Sequence, residues 1–387
     1  MKTLAECATP ALVLDRNKLQ INAKRMLDQC HRRGTRLRPH MKTLKSIEAA
    51  RYCIDPQHGG IAVSTLREAE YFAALGITDI QLAVCLPPDK LLRAVRVPSR
   101  KFSFFVDSIA TARALAALAA SDRHWNIWIE IDCGEHRTGV APDDPLLLEI
   151  AHCLSSVRNL SIEGVATHAG QAYAVHEPAA HARIAEVERA ALLEARQRLL
   201  RGGCDVRGAS AGSTPTAAHG ENFDGLSELR AGVYMVGDLF QAAIGTVPMA
   251  DVALSVLATV ISHNRRRNQI VIDAGGLALS KDRSTAELRD GDGGYGIVAD
   301  IEGQLSFGRM SVRDVHQEHG EIRSATPLPF ERLPVGSRVR IFPNHACMTA
   351  AMYDSYWVVA GGAGVVDRWS RVNGWSSPTV EQAMESA

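Results

Sequence analysis

The sequence predicts an α/β protein in which a closed (β/α)8 barrel precedes a separate β-domain. Apolar runs typical of strands alternate with amphipathic helical runs up to about residue 245. About eight such units are present, a number that favours a closed barrel over an open sheet. From Asp251 onward the runs are short and β-like, and Gly, Asn and charged turns separate them. We therefore expect the barrel over residues 10–247 and the β-domain over residues 248–387, which residues 1–9 can join.

The individual elements follow from apolar patterning and from residues that start or stop them. Pro10 lies near the start of the first strand, where its missing N–H is tolerated, and Gly34 ends the first helix. Ser108 is placed to cap a helix. The expected barrel strands are 9–15, a segment ending at Lys42, 60–64, 79–84, 102–106, 125–132, 160–168, 206–211 and 227–230; the helices between them are 16–31, 46–53, 65–75, 88–95, 108–120, 144–155 and 178–201. In the β-domain we expect strands at 252–261, 269–273, 296–301, 338–342 and 356–359.

Composition excludes several classes of function. The 387 residues include 43 Lys+Arg and 43 Asp+Glu, so the chain has no basic excess to attract nucleic acid or an anionic membrane. No apolar run is long enough to cross a bilayer, and the N-terminus lacks the apolar core of a signal peptide. The 8 cysteines are scattered without a C-x-x-C pair, a usage that fits reduced thiols in a cytoplasm.

Lys42 is the first candidate for chemistry. It ends the segment R-P-H-M-K, in which Pro39 disfavours helix at Arg38 and holds the approach extended. A lysine between a strand and a helix can face the mouth of an α/β domain, where an amine nucleophile is useful. The alternative is a basic surface loop.

Three further loops follow predicted strands. Gly212-Ser213-Thr214 follows strand 206–211, and its glycine, hydroxyls and N–H groups can surround a phosphate. Arg137 stands between small residues after strand 125–132, which predicts a guanidinium directed inward at an anionic oxygen. His168 and Tyr173 follow strand 160–168. For Arg137 the alternative is a surface position, and for His168 and Tyr173 it is structural packing.

His345 and Cys347 are the candidate metal ligands. They follow the predicted strand 338–342, and in an extended segment residues two apart share a face and can reach one ion. Imidazole and thiolate form a soft pair that suits zinc. Two ligands fit an open site completed by water or substrate, not a closed structural site. Chance co-occurrence is the alternative.

Taken together and in order, these motifs resemble one family. The chain resembles the D-serine dehydratase/D-threonine aldolase-like branch of the fold-type III pyridoxal phosphate enzymes. The resemblance covers nearly the whole chain, and the segments that carry it are 38–42, 130–140, 212–214, 230–234, 252–261, 273–275, 317–320, 344–347 and 369–375.

The resemblance implies an alanine-racemase-like barrel with a β-domain, usually in a homodimer. It implies that Lys42 is the Schiff-base lysine and that Lys45 is not. The positions implied for cofactor binding are Lys42, Arg137, His168, Gln171, Tyr173, Gly212, Ser213, Thr214 and Tyr234; the implied metal ligands are His345 and Cys347. The family often has G-G-T where this chain has G-S-T.

The metal pair favours one activity within the family. Aldolases resemble H-x-D here, which suits manganese or magnesium, whereas H-x-C resembles the dehydratases and suits zinc. The resemblance therefore implies a dehydratase that converts a D-3-hydroxy amino acid into a 2-keto acid and ammonia, with D-threo-3-hydroxyaspartate or D-serine as expected substrates. The alternatives are an aldolase that releases glycine and an aldehyde, an amino-acid racemase, and a non-catalytic pyridoxal phosphate-binding protein.

Overall fold

The computed structural model describes residues 2–118, 124–288 and 292–376. Its strands are β1 (Ala11–Asp15), β2 (Arg36–Leu37), β3 (Ile61–Val63), β4 (Asp79–Cys85), β5 (Lys101–Val106), β6 (Trp125–Glu130), β7 (Leu160–Ala166), β8 (Gly208–Ala211), β9 (Glu228–Leu229), β10 (Leu254–Asn264), β11 (Gln269–Ile272), β12 (Ile297–Ala299), β13 (Ser311–Val315), β14 (Gly320–Arg323), β15 (Arg338–Phe342), β16 (Ser355–Val359) and β17 (Val365–Ser370). Its α-helices are α1 (Arg16–Arg32), α2 (Ile47–Ala50), α3 (Leu66–Ala74), α4 (Leu91–Val95), α5 (Ile109–Leu118), α6 (Pro145–Ser155), α7 (Pro178–Arg201), α8 (Thr214–His219), α9 (Leu239–Ala243), α10 (Gly276–Leu279) and α11 (Ala346–Ala350).

The first compact unit, called the barrel unit here, consists of residues 27–47, 54–232 and 372–376. Its sheet has eight parallel strands in the order β2-β9-β8-β7-β6-β5-β4-β3. A parallel bridge between His40 and Ala62 joins the β2 edge to the β3 edge. The sheet therefore closes on itself, and the predicted barrel is confirmed.

Burial explains why these segments form the barrel wall. The strands are near-continuous apolar runs, as expected when helices cover a parallel sheet; five of the six residues of β5 are buried. Helix α3 packs Leu66, Ala69 and Phe72 inward. Its N-cap is Thr65, whose side chain accepts a hydrogen bond from the N–H of Glu68.

A buried ionic network crosses the inside of the barrel. Glu228 in β9 is fully buried and accepts hydrogen bonds from Arg38 at 2.9 Å, Gln81 at 3.0 Å and Ser210 at 2.6 Å. Arg38 also donates to Asp79 at 2.8 Å. The network links the segments around β2, β4, β8 and β9, and the paired charges offset the cost of burying the carboxylate.

The second compact unit, called the β unit here, consists of residues 2–26, 48–53 and 233–371. Its nine strands follow the order β11-β14-β13-β12-β15-β10-β1-β16-β17. Strand β10 pairs with both β15 and β11 and changes register at 260–262, so six of the strands form a closed antiparallel ring.

The predicted position of strand β1 in the barrel is wrong. The alternation of strands and helices placed residues 9–15 in the barrel, but β1 pairs antiparallel with β10 and parallel with β16. All five residues of β1 are buried because the strand is central in its sheet. Sequence patterning identified the strand but not its neighbours, since burial on two faces is common to both sheets.

The other expected strands of the β-domain are confirmed as β10, β11, β12, β15 and β16. Strands β13, β14 and β17 were not predicted, because charged residues interrupt their apolar pattern. The expected helix at 46–53 is shorter, Ile47–Ala50. In the part of the chain that the structure describes, no helix is long and apolar enough to span a bilayer.

Candidate active site

Lys42 lies in a turn over residues 41–44, between β2 and α2. The predicted strand therefore ends earlier than Lys42. The side chains of its neighbours Met41, Thr43 and Leu44 are buried, whereas Lys42 is exposed. Among the described residues of the barrel unit, no carboxylate pairs with its ammonium. Lys45, in contrast, pairs with Glu68 at 3.4 Å. Of the two lysines, Lys42 has the amine that is available for chemistry.

His168 follows β7, at the carboxyl end of a barrel strand. Its Nδ1 lies 3.1 Å from the carbonyl oxygen of Gly212, so Nδ1 carries the hydrogen of this bond. Burial, together with the nearby charges of Lys42, Arg137 and Arg230, lowers the pKa of His168 to about 3. The imidazole is therefore neutral, and its Nε2 presents a lone pair.

Gly212 begins the predicted phosphate loop, directly after β8. Its φ is +123°, and a Cβ at this position would lie 2.7 Å from the carbonyl oxygen of Arg230. Only glycine fits there. Ser213 is the N-cap of α8, and its hydroxyl accepts from the N–H of Thr216 at 3.3 Å. Thr214 is buried as the first residue of that helix. The predicted G-S-T segment therefore forms a tight strand-to-helix turn at the carboxyl end of β8.

Glu188 fixes this loop through hydrogen bonds, and no sequence motif indicates it. The carboxylate on α7 is buried and accepts from the N–H of Gly212 at 2.9 Å and from the N–H of Ala169 at 3.1 Å. Burial raises the pKa of Glu188, although these hydrogen bonds oppose the shift. One side chain thus fixes the loops that follow β7 and β8.

Arg230 is the second residue that sequence reasoning did not assign. It is buried, donates to the carbonyl oxygen of Thr167 at 2.5 Å, and also donates to the hydroxyl of Ser210. Its guanidinium lies 5.1 Å from the ring centroid of Phe105. It supplies fixed positive charge inside the barrel.

Gln171, Tyr173 and Arg137 surround His168 less tightly. The amide nitrogen of Gln171 donates to the carbonyl of Cys133 at 3.1 Å, and its buried Oε1 has no hydrogen-bond partner among the described residues. The Tyr173 ring centroid lies 6.3 Å from that of His168. The Arg137 side chain is 56% exposed and pairs with Glu135 at 3.2 Å.

Three polar side chains end consecutive strands and were also missed. Cys85 ends β4, Asp107 follows β5 and Glu130 ends β6, with their ligand-type atoms within 4.8 Å of one another. The thiol of Cys85 donates to Glu130 at 2.9 Å. Burial raises the pKa of Glu130, and the nearby charge of Asp107 adds to this shift. The hydrogen bond from Cys85 and the positive charge of Arg230 lower the pKa, but they do not outweigh burial. Their position at carboxyl ends of neighbouring strands is the signal that could have identified them.

The side chains at one end of the barrel unit are of types that suit pyridoxal phosphate. An exposed lysine amine, a neutral imidazole, a buried guanidinium and an unsatisfied amide oxygen occur in loops at the carboxyl ends of its strands. Tyr234, the remaining predicted cofactor residue, belongs to the β unit, where it is 2% exposed in the turn Val233–Met235.

His345 and Cys347 lie together in the β unit, but not on an extended strand. His345 is the N-cap of α11 and Cys347 is in its first turn, so the proximity of the two comes from the helix start. Nδ1 of His345 lies 3.2 Å from Asp282. Burial lowers the pKa of His345, but hydrogen bonds to Asp282 and Cys347 outweigh burial and raise it to about 11. Asp238 accepts from the N–H of Ala346 at 2.9 Å and fixes the start of the helix. An imidazole, a thiol and a nearby carboxylate suit a divalent metal ion that prefers soft ligands.

Comparison with known proteins places the chain in a family. Residues 14–239 match the family model "Alanine racemase, N-terminal domain", and residues 253–359 match "Putative serine dehydratase domain". The chain is 42% identical over 381 residues to D-threo-3-hydroxyaspartate dehydratase of Delftia sp. strain HT23, covering 96% of this chain and 99% of the relative. It is 29% identical over 401 residues to D-serine dehydratase of Dictyostelium discoideum, covering 95% and 97%.

A solved structure gives the same result. A cysteine-to-alanine mutant of D-threo-3-hydroxyaspartate dehydratase in the metal-free form superimposes with a TM-score of 0.91 at 41% identity, covering 97% of this chain and 100% of that one. The alanine-racemase-like barrel with a C-terminal β-domain is thereby confirmed. The chain belongs to the D-serine dehydratase/D-threonine aldolase-like family, which builds on an alanine racemase N-terminal domain.

Proposed function

We propose that the protein is a pyridoxal phosphate- and metal-dependent dehydratase of D-3-hydroxy amino acids, which forms a 2-keto acid and ammonia. The 42% identity to D-threo-3-hydroxyaspartate dehydratase over nearly all of both chains carries this proposal. The D-serine dehydratase relative supports the same reaction class. D-threo-3-hydroxyaspartate and D-serine are accordingly the proposed substrates.

Lys42 would hold the cofactor through its amine, and Gly212, Ser213, Thr214 and Tyr234 would hold the phosphate. When bound, pyridoxal phosphate supplies an electron sink for negative charge at the substrate α-carbon. Among the described residues of the barrel unit, no carboxylate holds Lys42 as an ammonium, which supports a role for its neutral amine in removing the α-proton.

The environment of His168 supports a position beside the cofactor ring. The bond to Gly212 fixes its orientation, and the low pKa keeps the ring neutral. Nε2 of His168 accepts a hydrogen bond without adding charge. Arg137, Gln171 and Tyr173 are the other residues proposed to line the ring, and the unsatisfied Oε1 of Gln171 supports a polar partner there.

His345 and Cys347 would bind the metal. A bound divalent ion supplies a Lewis acid for the β-hydroxyl, which is a poor leaving group. The thiol and imidazole favour zinc over the harder manganese and magnesium. The metal-free mutant of the solved relative supports a metal in this family. Asp282, which contacts Nδ1 of His345, would orient the imidazole.

A product assay tests the proposed reaction. D-3-hydroxyaspartate, D-serine and D-threonine are supplied separately to the purified protein, with and without zinc. A 2-keto acid and ammonia are expected with at least one of the first two. Glycine and an aldehyde would instead establish the aldolase alternative, inversion at the α-carbon would indicate a racemase, and no reaction with any of the three would indicate a binding protein.

Lys42→Ala tests the covalent site, with Lys45→Ala as its matched control three residues away. Lys42→Ala is expected to lose turnover and the chromophore that borohydride traps on the protein. Lys45→Ala is expected to retain both, because Lys45 pairs with Glu68. A trapped chromophore in Lys42→Ala would overturn the assignment.

We also propose that the enzyme is a cytoplasmic homodimer acting on a small molecule, without nucleic acid or membrane partners. Eight cysteines outside any disulfide, five of them buried, support a reducing compartment. Light scattering of the purified protein tests the dimer; a monomer mass at assay concentration would refute it.

A further inference from the structure

Three side chains of types that can bind metals lie close together, and none of them is a candidate active-site residue. His31, Asp55 and His58 in the barrel unit each offer one ligand atom, and these atoms lie within 4.8 Å of one another. His31 is in the last turn of α1, and the other two lie in the segment that follows α2. None of them takes part in the chemistry proposed above.

Asp55 is the fixed point of this group. Its side chain is fully buried, its Oδ1 accepts from the N–H of Gln57 at 2.8 Å, and its Oδ2 lies 2.9 Å from Nε2 of His31. Burial would raise the pKa of Asp55, but the bonds from His31 and Gln57 outweigh burial and lower it. The carboxylate is therefore charged and available to a cation at neutral pH.

The backbone turn brings His58 back to the same carboxylate. The carbonyl of Asp55 accepts from the N–H of Gly59 at 2.8 Å, which closes a short loop around residues 56–58. Gly59 adopts φ +63°, a conformation that glycine tolerates. The His58 and His31 rings are 6.1 Å apart and nearly perpendicular, at 84°. Both rings are exposed, so an ion can reach them from solvent.

The spacing is close to that of a metal site. Metal–ligand bonds of about 2.0–2.2 Å at tetrahedral angles separate two ligand atoms by roughly 3.3 Å. The His31 to Asp55 distance of 2.9 Å is that of a hydrogen bond. For this pair, replacing the bridging proton with an ion needs about 0.4 Å of outward movement by the exposed His31 ring, and the ligand atom of His58 lies within 4.8 Å of both. Two imidazoles and one carboxylate leave a coordination position for water and suit borderline transition ions.

We propose that His31, Asp55 and His58 form a second divalent metal site, selective for transition ions such as Zn²⁺, that ties the last turn of α1 to the 55–59 loop. No residue of the candidate active site contributes to it. A hard ion such as Mg²⁺ fits poorly, since two of its three ligands are imidazole nitrogens.

Zinc stoichiometry of the full-length holoenzyme tests the proposal. Equilibrium dialysis against micromolar Zn²⁺ is carried out on the natural chain and on Cys347→Ala, His58→Gln and the double variant. His316→Gln is the matched control, because His316 is also an exposed histidine paired with a carboxylate, Glu321 at 3.0 Å, but in a pair outside any such triad among the described residues.

The expected result is the loss of one equivalent of zinc per chain in His58→Gln, in both the natural and Cys347→Ala backgrounds. His316→Gln retains the natural stoichiometry, and turnover of His58→Gln is unchanged. Zinc also raises the thermal midpoint of Cys347→Ala but not of the double variant. Unchanged stoichiometry in His58→Gln overturns the proposal. Because Cys347→Ala is measured separately, failure of the His345–Cys347 site would appear as unchanged zinc in that variant alone.

Discussion

Nδ1 of His168 donates a hydrogen bond to the carbonyl oxygen of Gly212, 3.1 Å away, and joins the end of β7 to the loop after β8. This bond fixes the tautomer, since the carbonyl can only accept. Burial and three neighbouring cations keep the ring neutral, with a pKa of about 3. The ring is therefore neutral at neutral pH.

Two substitutions at His168 distinguish the roles of its two ring nitrogens. Asn retains a donor near Nδ1 but removes Nε2, whereas Phe removes both. We expect kcat/KM to fall about tenfold or more in each, because Nε2 is lost in each. The Phe variant is expected to lose a further ~1 kcal/mol of unfolding free energy with the bond to Gly212. Urea unfolding and steady-state kinetics measure the two effects, and natural kcat/KM in His168→Asn would refute a role for Nε2.

Glu188→Ala tests how the loops after β7 and β8 are held. The substitution leaves the buried N–H groups of Gly212 and Ala169 without their acceptor, at a cost of about 1–3 kcal/mol each. We expect weaker cofactor binding together with lower stability, measured by fluorescence titration and urea unfolding.

Glu188→Gln is the control for this change. Both N–H groups donate to the same carboxylate oxygen, Oε1, so the amide oxygen of Gln can still accept from both. The cofactor affinity of Glu188→Gln should therefore stay close to that of the natural chain and above that of the Ala variant. Equal affinity in all three chains would show that Glu188 does not position the phosphate loop.

Cys347→Ala is expected to lose the metal bound at His345, one equivalent per chain, together with dehydration, while keeping the cofactor chromophore. The reason is that a lone imidazole retains a divalent ion weakly once the thiolate is gone. Metal analysis, absorbance and keto-acid formation are measured on the same sample. Cys153→Ala removes a thiol that is also partly exposed, and this variant should behave as the natural chain. Full dehydration by metal-free Cys347→Ala would contradict the metal's role.

The lowered pKa of Glu228 predicts that acid reduces the stability of the barrel unit. Burial would raise its pKa, but Arg38 and Arg36 outweigh burial and hold the pKa far below its usual range. The carboxylate therefore stabilises the folded state fully above the unfolded pKa of about 4.3, and this contribution is lost as the pH falls below it. Urea unfolding measured from pH 7 to pH 3 should show falling stability.

The matched variant is Glu228→Gln. At pH 7 it should be less stable by ~3–5 kcal/mol, because Arg38 is left buried with part of its charge unpaired. Its stability should also change less between pH 5 and pH 3 than that of the natural chain. A parallel acid dependence in both chains would assign the acid sensitivity to other carboxylates.

The barrel could be predicted from sequence because each strand is a short apolar run next to an amphipathic helix. This patterning identified β3 to β8 and placed His168 and Gly212 after strands. It did not reveal that β1 pairs with β10 and β16, since pairing partners are set by tertiary packing. Nor did it find β13, whose exposed charged residues break the period.

The residues of the candidate site also divide into those that sequence motifs identify and those that only the structure shows. Lys42, Gly212 and the His345–Cys347 pair carry local motifs that a reader of the sequence can recognise. Glu188 and Arg230 do not, because their roles depend on hydrogen bonds to residues 24 and 63 positions away in the chain. The proximity of His345 and Cys347 was expected from an extended strand, but it arises at the start of α11.

The place of β1 has a consequence for biosynthesis. Residues 11–15 leave the ribosome early, but their partners at 254–264 and 355–359 follow only after the whole barrel has been translated. During that interval the nascent chain carries a strand with four apolar residues out of five and with both edges open, which is prone to adventitious pairing. A chain truncated after the barrel would keep this strand without its partner strands. Isolating the barrel in soluble form therefore requires removing residues at both ends.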